Sequence, residues 1–342
     1  MTQKKQLSIL LFRWSSIGDV VLSTSALSYF KSFPIPHKIF WVCKEPALSL
    51  MRASYPEVEW IALSEVLSFR VLKILRACDA AIDMQVTLKS RFLSTIYRIL
   101  FGKKIYPVHK RNMMRNGLIW KSRLLGRRAQ GAVFPKRSFV QDVLQVCIQA
   151  SALGQTGSVS AKPALFFPGA PNSVDSGKFN IGVAPGASYQ TKKAPPELFA
   201  AVIEQISNHL GDRVQFFFLG DHADRDDAQK VFVLLKERVP IKNFCGSLSL
   251  CESARMIGQL DCVLGNDSSM GHIAEAQNVP SVVFFGPTVE AFGFTPYLSQ
   301  SQAFSADLGC RPCSKHGQAP CYFKDKLCFQ KIDSVGLNRV PK

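Results

Sequence analysis

Short apolar runs alternate with longer segments of helical periodicity along the whole chain. In the first half, apolar runs predict strands at 7–12, 39–43, 58–63 and 80–84, and helical patterns cover 20–31, 46–53, 65–77, 90–101 and 138–153. In the second half, strands are predicted at 181–184, 214–219, 262–264 and 282–285, with helices at 196–210, 224–238 and 250–260. Buried strands that alternate with helices are typical of parallel, doubly wound sheets. The pattern therefore predicts an α/β protein with two Rossmann-like domains.

A segment rich in Gly, Ser, Pro and Ala separates the two halves. We assign residues 1–160 to an N-terminal domain, 161–178 to a linker and 179–342 to a C-terminal domain, with a short strand predicted at 164–167 inside the linker. Ligands of open α/β sheets bind beyond the carboxyl ends of the strands. The expected active site is therefore the cleft between the strand ends of the two domains.

Bulk composition narrows the class of protein. With 47% hydrophobic and 20% charged residues in 342, the chain has the composition of a soluble globular protein, and its ten cysteines in a chain of this size favour reduced thiols in the cytoplasm. No apolar run approaches the roughly 18 residues that span a bilayer. Arg13 and Asp19 interrupt the first apolar run too early for a secretory signal.

Positive charge is concentrated in one part of the chain. The formal net charge is +17, and residues 84–141 contain no Asp or Glu. The basic residues in that interval are Lys89, Arg91, Arg98, Lys103, Lys104, Lys110, Arg111, Arg115, Lys121, Arg123, Arg127, Arg128, Lys136 and Arg137. A one-signed field of this length predicts a polyanionic partner, which is a nucleic acid, an acidic membrane surface or an acidic glycolipid.

Two strand-to-helix loops carry residues suited to catalysis or phosphate binding. Asp19 ends the loop after the first strand, where it serves either as a helix cap or as a general base. After the strand at 181–184, the small residues Ala187 and Ser188 are followed by Lys192. This loop is either a phosphate cradle, although not a Walker motif, or a surface loop with solvated lysines.

Two further loops in the second half carry candidate nucleotide contacts. Asp224 follows the strand at 214–219 and is suited to ribose hydroxyls, or it belongs to a charged helix N-terminus. Leu248 lies in the next loop, where its apolar side chain can stack against a base.

The stretch from Leu260 to Thr288 contains two apolar runs joined by an Asn-Asp-Ser-Ser turn and a small-residue helix. Asn266, Asp267 and Ser268 are residue types that cap helices, so the N–H groups of this helix are expected to face the strand-end crevice. His272 lies on the same helix. The stretch is either an anion-binding site or an ordinary capped βαβ unit.

The C-terminal tail contains Cys310, Cys313, Cys321 and Cys328. Four such ligands could hold zinc or an iron–sulfur cluster, but the spacing fits no standard zinc module, and we favour reduced structural cysteines. The chain contains no nucleophile elbow, no HExxH and no GxGxxG after a strand. Metal or serine-triad hydrolysis and nicotinamide chemistry are therefore disfavoured.

Four ordered segments together resemble the lipopolysaccharide heptosyltransferases of glycosyltransferase family 9. They are LLFRWSSIGDVVLSTSAL, APGASYQTKKAPPELF, CGSLSLCESARMIGQLDCVLGNDSSMGHIAEA and VVFFGPT. The CxxC tail looks closer to the heptosyltransferase II type. The resemblance implies a GT-B fold and an inverting transfer that needs no cofactor or metal. The implied donor is ADP-L-glycero-D-manno-heptose, and the implied acceptor is the inner core of an anionic lipid A–Kdo precursor at the cytoplasmic face of the inner membrane.

The resemblance also implies roles for individual residues. Asp19 matches the catalytic base of the family. The residues that match donor contacts are Ala187, Ser188, Lys192, Asp224, Leu248, Asp267, Ser268, Ser269 and His272. The chain departs from the family pattern at Ser269, where the family has Gly, and at Ala194, where it has Trp. Both departures bear on donor choice, and no acceptor-binding residue is assigned.

Two alternatives stay open from the sequence. A related glycosyltransferase with another nucleotide sugar would share the same loops. A nucleic-acid-binding protein on a Rossmann scaffold would use the basic interval, but few aromatic residues are interleaved there and no recognition motif accompanies them. We therefore expect no nucleic-acid partner.

Overall fold

The computed structural model describes residues 7–32, 37–109, 112–126, 138–151, 160–168, 174–236 and 238–332. The chain divides into two compact units, 1–110 with 138–167 and 111–137 with 168–342. None of the helices within the described ranges is long and apolar enough to cross a membrane.

The described elements follow one another in βα order. The strands are β1 (Leu7–Phe12), β2 (His37–Cys43), β3 (Glu59–Ala62), β4 (Ala80–Asp83), β5 (Lys104–Pro107), β6 (Phe179–Ala184), β7 (Val214–Phe218), β8 (Ile241–Asn243), β9 (Cys262–Asn266), β10 (Ser281–Phe285) and β11 (Gln302–Ser305). The helices are α1 (Ile17–Ser23), α2 (Ser25–Lys31), α3 (Ala47–Ser54), α4 (Phe69–Ala77), α5 (Leu88–Phe101), α6 (Asn112–Leu125), α7 (Phe139–Ala150), α8 (Pro196–Leu210), α9 (Arg225–Leu235), α10 (Leu250–Ile257), α11 (Ser269–Glu275) and α12 (Leu327–Gln330).

The first unit is built on a parallel sheet of strand order β3-β2-β1-β4-β5. The central strand β1 pairs with β2 and β4, so that Leu10 lies opposite Phe40 on one side and Ala81 on the other. Leu10 and Phe40 are buried in one core with residues of α4 and α5. Continuous apolar strands bury both faces of this sheet.

The second unit is built on a parallel sheet of strand order β11-β10-β9-β6-β7-β8. Phe216 and Phe218 of β7 are fully buried against residues of α8 and α9. Both units are thus parallel and doubly wound, which confirms the predicted pair of Rossmann-like domains of a GT-B fold.

The helix α6 belongs to the second unit, although the sequence analysis placed residues 1–160 in the first domain. Its Arg115 donates a 2.8 Å hydrogen bond to the carbonyl of Phe292, and its Ser122 donates a 2.6 Å bond to the carbonyl of Pro312. These long-range contacts leave no mark on the local sequence. Arg115 is one of the basic residues of the interval 84–141, and its hydrogen bond to Phe292 shows that it also contributes to the packing of the second unit.

Several predicted elements differ from those observed. The strands β5, β8 and β11 were missed because each is a short edge strand without a fully buried apolar run. The helix predicted at 20–31 is divided at Thr24 into α1 and α2. The strand predicted at 164–167 is absent, since side chains bind its backbone: Thr24 accepts from Ala164 N at 2.9 Å, and Tyr55 donates to Ala164 O at 2.6 Å.

Candidate functional site

Each sheet has one point at which the strand order changes direction. In the first unit this point lies between β1 and β4, and in the second unit it lies between β6 and β9. Ligands of open α/β sheets bind at the carboxyl ends of the strands that flank such a point. Asp19 follows β1, Lys192 follows β6 and Asp267 follows β9. Three of the predicted site residues therefore lie where this fold places its ligands.

Asp19 lies in the first turn of α1 and is held by groups from the loop before it. Its Oδ2 accepts hydrogen bonds from the N–H and the hydroxyl of Ser16, at 3.0 and 2.7 Å. The same oxygen lies 2.6 Å from Nη2 of Arg13, and 19% of the Asp19 side chain is exposed. Asp19 therefore caps the start of α1, which was one of the two roles predicted for it. Its carboxylate also remains partly exposed to solvent, as the other predicted role, a general base, requires.

Opposing effects set the protonation of Asp19. Burial raises its pKa, but the positive charge of Arg13 and the hydrogen bonds from Ser16 and Arg13 together outweigh burial and hold the pKa below its usual value. The carboxyl group is therefore ionised at neutral pH. An ionised carboxylate is the form that a general base requires, although a lowered pKa makes it a weak base.

Arg13 is a residue of this site that the sequence analysis did not assign. It is buried, and its Nη1 donates to the carbonyl of Met84 at 2.5 Å, beyond the end of β4. Its guanidinium lies 5.2 Å from the centre of the Phe139 ring, which favours a cation–π contact. The signal in the sequence was an arginine placed directly after a buried central strand.

Gln85 is a second residue that the sequence analysis missed. Its Oε1 accepts hydrogen bonds from the N–H groups of Trp14 and Ser15, at 3.1 and 3.3 Å. Gln85 is itself anchored by the buried Asp83, whose Oδ1 accepts from Gln85 N at 2.9 Å. The loop after β4 thereby fixes the backbone that precedes Asp19.

In the second unit, one carboxylate joins three loops. Asp267, after β9, has its Oδ2 2.6 Å from Nζ of Lys192, from the loop after β6. The hydroxyl of Thr288, after β10, donates to the same oxygen at 2.7 Å. The Lys192 and Asp267 side chains are only 16% and 11% exposed. The interpretation of Lys192 as a solvated surface lysine is therefore wrong.

The neighbouring Lys193 is also paired. Its Nζ lies 2.6 Å from Asp227 and 4.0 Å from Asp224, and 17% of its side chain is exposed. Two adjacent lysines are thus directed to two different carboxylate groups. Lys192 lies beside Asp267 and Lys193 lies near Asp224, and the resemblance assigned both of these carboxylates to the donor.

Asn266 anchors the loop that contains Ala187 and Ser188. Its Oδ1 accepts from Ala194 N at 3.0 Å, and its Nδ2 donates to the carbonyl of Pro185 at 2.7 Å. Asn266 is buried and is the last residue of β9, so its prediction as a helix cap is wrong. Ala194, where the family has Trp, is buried in the core of this unit. Ala187 is half-buried and Ser188 is exposed in the anchored loop.

The remaining donor candidates of this stretch surround the start of α11. Ser268 is the N-cap residue but forms no side-chain capping bond, and Ser269 begins a helix of only seven residues. Asp267, Ser268 and His272 line one small cavity, and the His272 ring lies 6.5 Å from the ring of Phe294. The structure thus brings together the residues that the sequence grouped around this helix start.

Asp224 lies close to two glycines at the same edge of the sheet. A Cβ at Gly220 would lie 2.7 Å from the Asp224 Cβ, and a Cβ at Gly186 would overlap the Asp224 carboxylate. Burial raises the pKa of Asp224. Asp224 therefore packs between the loops after β6 and β7, while Leu248 lies half-buried in the loop after β8.

The tail cysteines line a cavity of about 500 Å³ within the second unit. Burial raises the pKa of Cys313 to about 11 and that of Cys328 to about 12, so both thiols are protonated at neutral pH. Across the described ranges, no three His, Cys, Asp or Glu side chains are grouped closely enough to hold a metal ion. The buried Arg311 of this tail donates to the carbonyls of Gly286 and Thr288, at 2.6 and 2.8 Å, and so supports the loop that contacts Asp267.

Comparison with known families decides the classification. The model of glycosyltransferase family 9 (heptosyltransferase) matches residues 68–322. The chain belongs to glycosyltransferase family 9. A relative of this family 9 chain, lipooligosaccharide heptosyltransferase 2 of Haemophilus influenzae, is 31% identical over 123 residues, which are 35% of this chain and 34% of that protein. The matched region therefore spans about a third of the length of that relative.

Two further proteins resemble the chain over most of its length. Lipopolysaccharide heptosyltransferase 1 of Campylobacter coli is 23% identical over 308 residues, covering 82% of this chain and 84% of that protein. The structure of ADP-heptose lipopolysaccharide heptosyltransferase II of Escherichia coli matches 88% of this chain and 91% of its own, with a TM-score of 0.64 and 20% identity. The structural likeness confirms the GT-B fold.

Proposed function

We propose that this family 9 chain transfers a heptose from ADP-L-glycero-D-manno-heptose to the inner core of lipopolysaccharide. Family membership supports transfer from a nucleotide sugar, and the names of the similar proteins support heptose as the sugar. The observation that carries the proposal is the Lys192–Asp267 pair, 2.6 Å apart, at the switch point of the second sheet. A cation and a carboxylate at this position suit the diphosphate and the sugar hydroxyls of such a donor.

In the proposed reaction, a hydroxyl oxygen of the acceptor attacks the anomeric carbon of the heptose. The bond from that carbon to the diphosphate oxygen breaks, and ADP leaves with the electron pair. Asp19 takes the proton of the attacking hydroxyl, which its ionised carboxylate can do as the new bond forms. The configuration at the anomeric carbon is inverted.

Lys192 stabilises the charge that develops on the departing diphosphate, so the proposal invokes no metal ion. In the structure Lys192 is paired with Asp267, which is also bound by Thr288. Donor binding therefore requires Lys192 to be shared between Asp267 and the diphosphate. The other donor contacts that we propose are Ala187, Ser188, Asp224, Leu248, Ser268, Ser269 and His272.

Isothermal titration calorimetry with ADP, GDP and UDP tests the donor. We expect ADP to bind more tightly than GDP or UDP, and ADP-heptose to raise the melting temperature more than ADP-glucose does. Tighter binding of UDP would overturn the heptose assignment and favour a related glycosyltransferase with another nucleotide sugar.

The acceptor in this proposal is an anionic lipid A–Kdo precursor at the cytoplasmic face of the inner membrane. The basic interval at 84–141 supports this partner, because phosphates and acidic sugars pair with Arg and Lys. We place the enzyme nearer to the heptosyltransferase II type on the basis of its CxxC tail. Turnover measured with acceptors that already carry one heptose, and with acceptors that carry none, decides between the two types.

A further inference from the structure

The helix α5 exposes an apolar stripe on the side opposite its packed face. Ser90, Leu93, Ser94 and Tyr97 are its buried residues. Leu88, Phe92 and Ile99 are 89%, 64% and 72% exposed. At about 100° per residue, these three side chains fall within roughly 40° of one another around the helix axis. The three apolar side chains therefore share one side of the helix, with the exposed Thr95 between Phe92 and Ile99.

The neighbouring helix α4 extends the same surface. It contacts α5, and Phe69 at its start is 75% exposed, with Leu67 just before it 60% exposed. Nζ of Lys73 lies 4.7 Å from the centre of the Phe69 ring. We call the exposed sides of these two helices, with Leu67, the α4–α5 face.

Basic side chains accompany the apolar ones on this face. The exposed basic residues are Arg70, Lys73 and Arg76 on α4 and Lys89, Arg91 and Arg98 on α5. Neither helix contains an Asp or a Glu. On α5, Arg91 and Arg98 lie along one side of the apolar stripe and Lys89 lies along the other, as the helical angles require. The two helices thus combine exposed large apolar groups with basic side chains, of which Arg70 is paired with Glu59 of β3 at 3.8 Å.

We propose that the α4–α5 face docks the protein on an anionic lipid bilayer. Leu88, Phe92 and Ile99 enter the boundary between headgroups and acyl chains, while the flanking Arg and Lys side chains bind lipid phosphates. This combination fits a bilayer better than a polynucleotide, because exposed Leu and Ile gain little from a phosphate backbone. The inference rests on the proposed function only in that a lipid-anchored acceptor requires the enzyme at a membrane.

Co-sedimentation with protein-free vesicles tests the proposal. The full chain should bind phosphatidylcholine vesicles that contain about a third phosphatidylglycerol, and bind phosphatidylcholine alone at least about 10-fold more weakly. The triple variant Leu88→Ser, Phe92→Ser, Ile99→Ser should lose at least about 10-fold in binding to the anionic vesicles. The control Val233→Ser removes a side chain that is 60% exposed on α9 of the second unit and should bind as the wild type does.

Charge is tested separately with Lys89→Gln, Arg91→Gln, Arg98→Gln, which should weaken binding to a similar extent and reduce its salt dependence. Unchanged vesicle binding by the apolar triple variant would overturn the proposal. Binding to single-stranded RNA in place of anionic vesicles would overturn it in favour of a nucleic-acid partner. Heptose transfer to a delipidated acceptor is measured in parallel. This measurement distinguishes failure of the membrane-docking proposal from failure of the proposed function. The apolar triple variant should retain that transfer, whereas a chain that is not a heptosyltransferase would lack it and still bind vesicles.

Discussion

Replacing Asp19 by Asn should destabilise the first unit in a pH-dependent way. Nη2 of Arg13 lies 2.6 Å from Oδ2 of Asp19, and the two side chains are only 5% and 19% exposed. Asn has nearly the same size as Asp, so the substitution removes the charge of the pair with little change in packing. The buried guanidinium of Arg13 then loses an anionic partner.

The magnitude follows from the geometry. The charge centres of a pair with this N–O distance are about 4 Å apart, which gives an attraction of about 4 kcal/mol at an effective dielectric constant of about 20. Water reaches part of the Asp19 side chain and screens the interaction, so we expect the free energy of unfolding to fall by about 2–3 kcal/mol at neutral pH. Turnover should fall by about 100- to 10,000-fold, because the general base is lost.

The pH dependence has a definite sign. The pKa of Asp19 is lowered in the folded protein, so its stabilising contribution is fully present above the unfolded pKa of about 3.9. It is lost as the pH falls through the lower, folded value. The difference in stability between wild type and Asp19→Asn should thus be equal at about pH 7.5 and pH 5.5 and should shrink below about pH 4.

Urea denaturation followed by tryptophan fluorescence measures this difference. Of the four tryptophans, Trp14, Trp41 and Trp60 lie in the first unit, so a Trp120→Phe background reports on that unit alone. The matched control is Glu57→Gln, which removes the Lys31–Glu57 pair, whose side chains are 53% and 50% exposed. This exposed pair should contribute less than about 1 kcal/mol. Equal stability of Asp19→Asn and wild type at neutral pH would refute the reasoning.

Three further substitutions test the proposed donor site in the second unit and the loop that precedes Asp19 in the first unit. Lys192→Met should raise the Kd of ADP by about 10- to 100-fold, because a hydrogen bond to a charged group contributes about 1.5–3 kcal/mol. Calorimetry measures this change, and the exposed control Lys230→Met should leave the Kd of ADP unchanged. Gln85→Leu removes the acceptor of the Trp14 and Ser15 N–H groups, so it should lower kcat by at least about 10-fold and leave ADP affinity unchanged. A parallel loss of ADP affinity would contradict this positioning role of Gln85. Gly186→Ala places a Cβ against the Asp224 carboxylate, so it should lower both the Tm of the second unit and the affinity for ADP. An unaltered Tm would contradict the close packing of Gly186 and Asp224.

Much of the architecture follows from local pattern. Apolar runs such as 7–12 and 214–219 form strands that are buried on both faces of their sheets. Their hydrophobicity alone therefore identifies them as central strands, without knowledge of the strands beside them. The edge strands β5, β8 and β11 are defined by hydrogen bonds to a neighbouring strand, which no local pattern records. The helix α6 likewise joins the second unit through contacts with residues far along the chain.

The site shows the same division. The sequence by itself determined the chemistry available at the strand ends, namely the carboxylates Asp19 and Asp267 and the cation Lys192, because residue type and position after a strand are local properties. Only the tertiary structure decided that Arg13 pairs with Asp19 and that Lys192 pairs with Asp267. Arg13 and Asp19 lie on either side of the turn between β1 and α1, whereas Lys192 and Asp267 lie in two separate loops that parallel strands bring to one edge of the sheet. Pairing depends on distances of a few ångströms between such loops, which sequence spacing does not encode.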